Sequence, residues 1–345
     1  MRTTGCSCAV VSSVCFALGV SCCSRVHADH VFLRYGFNGY VATGDTYIDA
    51  DNPTTNYGSE LLLGVYGEVN DEEDIEESIL IRFDLTGVLP PMVEIDQALL
   101  GFRLEDTRRL TGEDDEVSIG AYRVLNRPWV EDEATWYVFK QNHYWSKPGC
   151  EWEELDRSDT ADDIIDFYPN SVIGVLHYWD VTDSVIEWCE EGQPNNGWLL
   201  RVETSEDQKR GVWLNSKESA STGSRPVLQI WYTPYYTLTL DVINGSWGTV
   251  DVDPDEPNYE AGTPVVLTAE PNPDKGFRHW EIWDPNHPGD PNYRAIDANS
   301  VITIVMDADR QVTAVFSCGA GAGPMLLPIA LGLIGLSVAV GRRDR

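Results

Sequence analysis

Short runs of alternating apolar and polar residues, punctuated by Gly, Pro, Asn and Ser, recur from residue 42 to residue 232. Thr46-Tyr47-Ile48 and residues 61–65 read as strands around the turn Asn52-Pro53 and the loop Asn56-Tyr57-Gly58,. Residues 78–83, 97–104 and 117–124 follow as strands; in the last, Val117, Ile119 and Ala121 alternate with polar or small neighbours,. Residues 71–77 hold six acids in seven positions and read as a solvated loop. Residues 126–170 are irregular, aromatic and acidic. Asp180 is placed to cap a short helix with Val181, Val185 and Cys189 on one face,. Residues 198–202, 212–215 and 227–232 complete the strands. Many short strands and one short helix predict an all-β fold, a β-sandwich of about 190 residues.

A second pattern begins after Thr233-Pro234. Residues 236–242 alternate as a strand, Gly245-Ser246-Trp247-Gly248 is a turn, and residues 249–252, 265–269, 276–280, 302–306 and 311–316 read as further strands,. This predicts a small β-rich domain over residues 235–316.

The ends read as addresses. Arg2 precedes an apolar stretch over residues 9–23, and Val26-His27-Ala28 supplies the small residues of a cleavage site. Residues 1–28 are therefore expected to be a secretory signal peptide. A lipoprotein signal at Cys22 is the rival, with Gly19 where that motif wants Leu. Residues 29–41 are left as a linker. At the other end, residues 325–340 carry no charge and Gly341-Arg342-Arg343-Asp344-Arg345 follows. That stretch is near the short limit for a spanning helix, and the arginines would stay cytoplasmic. Residues 317–345 resemble the tripartite C-terminal sorting signals of bacterial surface proteins, and Cys318-Gly319 is similar to the subset built around a cysteine. That makes Cys318 the candidate for processing or lipid attachment, with sorting machinery and the membrane as partners; a plain transmembrane anchor is the alternative.

Charge narrows the partners. Acids number 56 and basic residues 24, so the formal net charge is −32 and the pI is near 4.3. A basic face for nucleic acid or anionic lipid is excluded. Of the eight cysteines, Cys6, Cys8, Cys15, Cys22 and Cys23 precede residue 29, which leaves Cys150 and Cys189 in the body. They are a disulfide candidate closing a loop of about 40 residues. The helix face shared with Val181 and Val185 instead makes Cys189 a core thiol.

An ordered set of motifs spans more than half of the chain. It runs from Asp45-Thr46-Tyr47, Asn56-Tyr57-Gly58 and Ile81-Arg82-Phe83-Asp84-Leu85 through Trp129-Val130-Glu131 and Ala134-Thr135-Trp136. Trp145, Pro148-Gly149, Asp180-Val181-Thr182, Trp188, Asn196-Gly197 and Arg225-Pro226 continue it. In order and spacing it resembles a DNRLRE domain over residues 42–233. The resemblance implies an exported, jelly-roll-like β-sandwich without a catalytic site, some of whose relatives bind acidic polysaccharides such as alginate. Cys150 and the long acidic loop depart from the pattern. Residues 235–316 resemble an InlB B-repeat module, a repeat-type domain that implies a spacer role; residues 284–299 are an insertion in it.

Candidate chemistry is sparse. Adjacent acids such as Glu153-Glu154, Asp162-Asp163 and Glu190-Glu191 are too common here to signal glycosidic cleavage,. The histidines have no metal-ligand spacing, and no nucleophile elbow or P-loop occurs,. Trp129, Trp136, Trp179, Trp188, Trp198 and Trp213 read as core,. Tyr137, Tyr144, Trp145, Trp152 and Tyr168 lie among acids in the irregular stretch and are the candidate sugar-binding residues, because rings pack on sugar CH faces while hydroxyls meet carboxylates. Calcium is an optional cofactor, with oxygens from Asp71, Glu72, Glu73 and Asp74, or from Asp251, Asp253 and Asp255. The leading expectation is a non-catalytic exported cell-surface protein that binds extracellular polysaccharide or matrix components. A purely structural or adhesive surface protein is the alternative, and a polysaccharide-degrading enzyme ranks below both. The acidic body favours neutral glycans, or acidic ones bridged by calcium.

Overall fold

A computed structural model describes residues 29–68, 75–113, 115–203, 210–287 and 290–319. The expected signal peptide, the apolar segment 325–340, and Asp71, Glu72, Glu73 and Asp74 lie outside the described residues. Among the described residues no helix is long and apolar enough to cross a membrane. The chain divides into two units, with the main boundary at Thr233 and Pro234; Leu85–Glu94 and Ile186–Gln193 group with the second.

The first unit contains β1 (Asp29–Leu33), β2 (Thr43–Asp49), β3 (Leu62–Glu68), β4 (Ile75–Phe83), β5 (Val93–Arg108) and β6 (Val117–Arg123). It continues with β7 (Val138–Lys140), β8 (His143–Tyr144), β9 (Asp163–Phe167), β10 (Leu176–Asp180), α1 (Thr182–Cys189), β11 (Trp198–Val202), β12 (Arg210–Asn215) and β13 (Val227–Tyr236). The strands run in the order β1-β13-β5-β12-β3-β4-β11-β6-β9, with β2 also on β4 and β10 on β5. One edge of β4 is taken by β2; the other carries β3 opposite residues 75–77 and then β11 opposite residues 79–81. A sheet that exchanges neighbours along one strand must curl, and this one is a curled antiparallel sheet in an all-β fold.

Its central strands are apolar on both sides. Ile79, Ile81, Leu200 and Ile119 are fully buried in one direction, and Leu80 and Leu199 are fully buried in the other. Leu80, Leu199 and Tyr122 pack under Trp129, Phe139, Trp145 and Cys150 from the loops. The irregular stretch is thus a lid on the sheet. That is why these strands read as near-continuous apolar runs. At α1, the Thr182 N–H donates to Asp180 Oδ1 (3.1 Å), while Val181 and Val185 are fully buried, as the expected cap and face require.

Three local readings change. Residues 29–41 are not merely a linker, because β1 pairs with β13 from Asp29↔Tyr232 to Leu33↔Leu228. The acidic run is not wholly a solvated loop: Glu76 and Glu77 lie in β4, facing Arg201 and Arg108. The irregular stretch contains β7, β8 and β9.

The disulfide candidate is also corrected, since Cys150 and Cys189 are free thiols. Cys150 is fully buried, with its Sγ 3.6 Å from the Asp156 carbonyl oxygen to which it donates. Burial raises its pKa well above the usual thiol value and pushes Cys189 up to about 11. Protonated thiols of this kind are poor nucleophiles. Peptide mapping of the denatured, unreduced protein should find alkylating label on both residues; a linked Cys150–Cys189 peptide would contradict this.

The second unit contains β14 (Leu238–Ile243), β15 (Gly248–Asp253), β16 (Tyr259–Glu260), β17 (Pro264–Pro271), β18 (Lys275–Trp283), β19 (Arg294–Asp297), β20 (Val301–Val305) and β21 (Arg310–Cys318). All but β16 form the sheets β14-β21-β18-β19 and β15-β17-β20. Strand β14 is parallel to β21, and the other registered pairs of these two sheets are antiparallel. Val265, Leu267, Trp280, Val312, Ala314 and Phe316 fill the core between alternating polar positions. Gly248 is needed where it stands, because a Cβ there would lie 2.3 Å from the Phe316 ring. Cys318 closes β21 and is exposed.

Candidate functional site

Strand register assembles a platform from residues far apart in sequence. Across β2, β4, β3, β12 and β5 it sets Asp49, Glu77, Tyr66, Gly211 and Arg108 in one row. Directly opposed residues share a face. Tyr47, two residues before Asp49, therefore lies on that face, as does the pair Gly64↔Trp213. The glycine at 64 is a space requirement: a Cβ there would stand 2.0 Å from Glu77 Oε2 and 3.0 Å from the Trp213 ring.

Rings and charges interlock on this face. Tyr47 stacks on Tyr57 with centroids 4.1 Å apart, and meets Trp213 edge-on at 6.2 Å. The Arg108 guanidinium sits 4.4 Å from both the Tyr66 and the Trp213 ring centres. It grips Glu77 with both ends, Nη2 to Oε1 at 2.9 Å and Nη1 to Oε2. Asp49 accepts hydrogen bonds from the Tyr57 hydroxyl (3.1 Å) and the Asn52 amide (2.8 Å). Burial raises the pKa of the Tyr47, Tyr57 and Tyr66 phenols, so they remain protonated. Trp213 and Tyr57 are half-buried; Asp106, opposite Trp213 in β5, is exposed, as are Glu105 and Arg109 at the same strand end. Fixed rings beside a bidentate guanidinium and carboxylates suit a ligand that presents both CH faces and hydroxyls. Trp213, which its strand pattern places in the core, is instead half-buried, because alternation shows a shared face and not what covers it.

Farther along the same face of β2 lies an ionic hub. Asp45 is fully buried, and its Oδ2 accepts from the Lys217 N–H at 2.7 Å. Lys217 Nζ stands 3.2 Å from Glu131 and 2.5 Å from Glu218. Burial, then Glu218, raises the Asp45 pKa well above the usual carboxylate value, and burial raises Glu131. Burial works against the charge of Lys217, but Glu218 and Glu131 outweigh it and push its pKa up to about 12. Asp45, Glu131 and Glu218 offer oxygens within 4.8 Å of one another, the one such metal-capable group among the described residues. Its chemistry is that of a salt-bridged hub, because the lysine ammonium already supplies the cation.

The residues expected to bind sugar divide. Tyr137, Tyr144 and Trp152 are exposed on the loop lid, and Tyr168 is exposed at the end of β9. Trp145 is corrected to a core residue: it is only 4% exposed, packs on Phe139 at 5.6 Å, and donates from Nε1 to the Thr135 carbonyl at 2.9 Å. The lid is organised by Asp156, a fully buried carboxylate that accepts from the Ser146 N–H (3.0 Å), the Lys147 N–H (3.0 Å) and Arg127 Nε (2.7 Å). The calcium reading of Asp251, Asp253 and Asp255 is not supported, since all three are exposed and they do not converge.

Behind the lid, Glu76 Oε1 lies 3.4 Å from Arg201 Nε and accepts from Ser78 Oγ at 3.0 Å, while Arg201 Nη1 is 3.1 Å from Glu151. Burial outweighs Arg201 and pushes the Glu76 pKa up to about 7. A carboxyl raised on folding adds stability below its unfolded pKa and loses it as pH rises through the folded one. Wild-type stability should therefore fall, relative to Glu76→Gln, between about pH 4.5 and pH 7, by about 3 kcal/mol at most. Urea midpoints of both proteins across that range check this; parallel curves would refute it.

Comparison with known proteins bears on the platform. The model of carbohydrate-binding module family 96 matches residues 37–232, and that of the divergent InlB B-repeat domain matches residues 238–320. No curated protein matches the chain. The first match takes in β2 to β12 with every platform residue and every sugar-binding candidate, and covers more than half of the 345 residues. The platform is thus part of a non-catalytic carbohydrate-binding domain, and the chain belongs to carbohydrate-binding module family 96.

Proposed function

We propose that this is an exported, cell-surface glycan-binding protein without catalytic activity, whose first unit holds polysaccharide on the platform of Trp213, Tyr57 and Arg108. The observation that carries the reading is the half-buried Trp213 ring, framed by the Arg108–Glu77 pair in a carbohydrate-binding module. The B-repeat unit serves as a spacer. The C-terminal segment, with Cys318, engages sorting machinery and tethers the protein to the membrane. With a net charge of −32 the protein repels polyanions, so neutral glycans are its ligands and acidic ones bind only through calcium,.

Affinity electrophoresis through soluble polysaccharides tests this. Retardation is expected in neutral glycans, and in alginate only with calcium. Tight alginate binding in chelator at low salt would overturn the charge argument. Retention by no glycan would favour the structural or adhesive reading, and release of shortened products would favour the enzyme.

A further inference from the structure

We propose that the second unit carries its own site for a neutral saccharide, in the cleft built by the insertion between β18 and β19. The cleft has a volume of about 870 Å³ and is lined by Trp283, Tyr293, Asp284, Arg294, Asp307 and Arg310, among others. The cleft is open to solvent rather than enclosed, so a ligand would lie along it.

The insertion is shaped by its own polar side chains. Asp284 accepts from the Asn286 N–H at 2.8 Å, and Asp290 accepts from the Asn292 N–H at 2.9 Å where the single 3-10 turn Pro291–Tyr293 begins. This turn presents Tyr293. His287 stacks on the tyrosine with centroids 3.7 Å apart and planes 7° from parallel, yet Tyr293 remains 47% exposed. The ring is held without being covered. Neither His287, Tyr293 nor Trp283 belongs to the apolar core cluster of the unit, so hydrophobic packing there does not account for them.

The polar groups indicate the ligand's charge. Arg294 lies 5.6 Å from the Trp283 ring centre and pairs through Nη1 with Glu281 at 2.7 Å. A guanidinium has five donors, and this ion pair uses one nitrogen. Arg310 pairs with Asp307. The charged lining is two arginines against Asp284 and Asp307, and Glu281 behind Arg294 leaves the cluster slightly acidic, like the whole protein of net charge −32. Such a cleft does not attract an anionic chain, and it offers ring faces and hydrogen-bonding groups together. A neutral oligosaccharide meets both.

The test uses the full protein, its Trp213→Ala, Tyr293→Ala and Arg294→Lys variants, and the double variant, in affinity electrophoresis with soluble β-glucan, xylan and galactomannan. At least one of these should still retard Trp213→Ala. Tyr293→Ala should weaken that binding at least tenfold, Arg294→Lys should weaken it in the same glycan, and the double variant should lose it. If Trp213→Ala loses all binding while Tyr293→Ala loses none, the second site falls and the platform stands; the reverse result removes the platform and keeps this site. Retardation of the wild type by none of the three glycans overturns the proposal. Equal thermal midpoints for wild type and Tyr293→Ala would show that the exposed substitution leaves the fold intact.

Discussion

Trp213→Ala should lower affinity for the retained polysaccharide on the platform by ten- to a hundredfold, about 1.5–3 kcal/mol, because it removes the ring that Tyr47 and Arg108 hold in place,. The loss has two sources. A rigid aromatic surface disappears, and the guanidinium loses one of the two rings it rests on. Trp213→Phe keeps a smaller ring and should recover part of the affinity. Arg108→Lys retains the charge but not the two-pronged grip on Glu77, and should fall between wild type and Trp213→Ala,. Isothermal titration with the same glycan measures all three. A folded Trp213→Ala protein with unchanged affinity would remove the platform from the binding site.

Asp156→Ala should be strongly destabilising to the first unit. It leaves the Ser146 and Lys147 N–H groups and the Arg127 guanidinium without their shared acceptor in a buried setting. Breaking such an arrangement costs about 3–5 kcal/mol. In a domain of this size that corresponds to a fall in Tm of roughly 10 °C. Asp156→Asn retains the shape and some accepting capacity, and should lose less. Exposed Tyr137, Tyr144 and Trp152 sit on the loops that this carboxylate ties together, so limited proteolysis should cut the variant within residues 137–157 first. An unchanged unfolding midpoint would show that the lid stands without its hub.

How far the sequence was legible depended on whether a residue's role was local. The alternation in β6 and the short apolar runs of β2, β11 and β12 placed those strands, and Asp180 placed the helix, because periodicity and capping act over a few residues. Strand β5 was cut short at residue 104 because its polar end, Glu105-Asp106-Thr107-Arg108, shows no apolar face. That end borders the platform. Glu76 and Glu77 looked like solvated charges because their partners, Arg201 and Arg108, are brought near only by the sheet. Trp145 looked accessible because it lies in a loop, whereas the loop itself covers the sheet. Trp213 was assigned to the core for the opposite reason: a strand pattern shows which residues share a face, not whether anything rests on it.

The parallel pairing of β14 with β21 has a mechanical consequence. These are the first and last strands of the second unit, registered from Leu238↔Arg310 to Ile243↔Val315. Tension applied at the start of β14 and the end of β21 pulls two parallel neighbours lengthwise past each other. Their hydrogen bonds are then loaded together, in shear, rather than broken one at a time as in the unzipping of a hairpin. A module wired in this way holds under a pull along its strands.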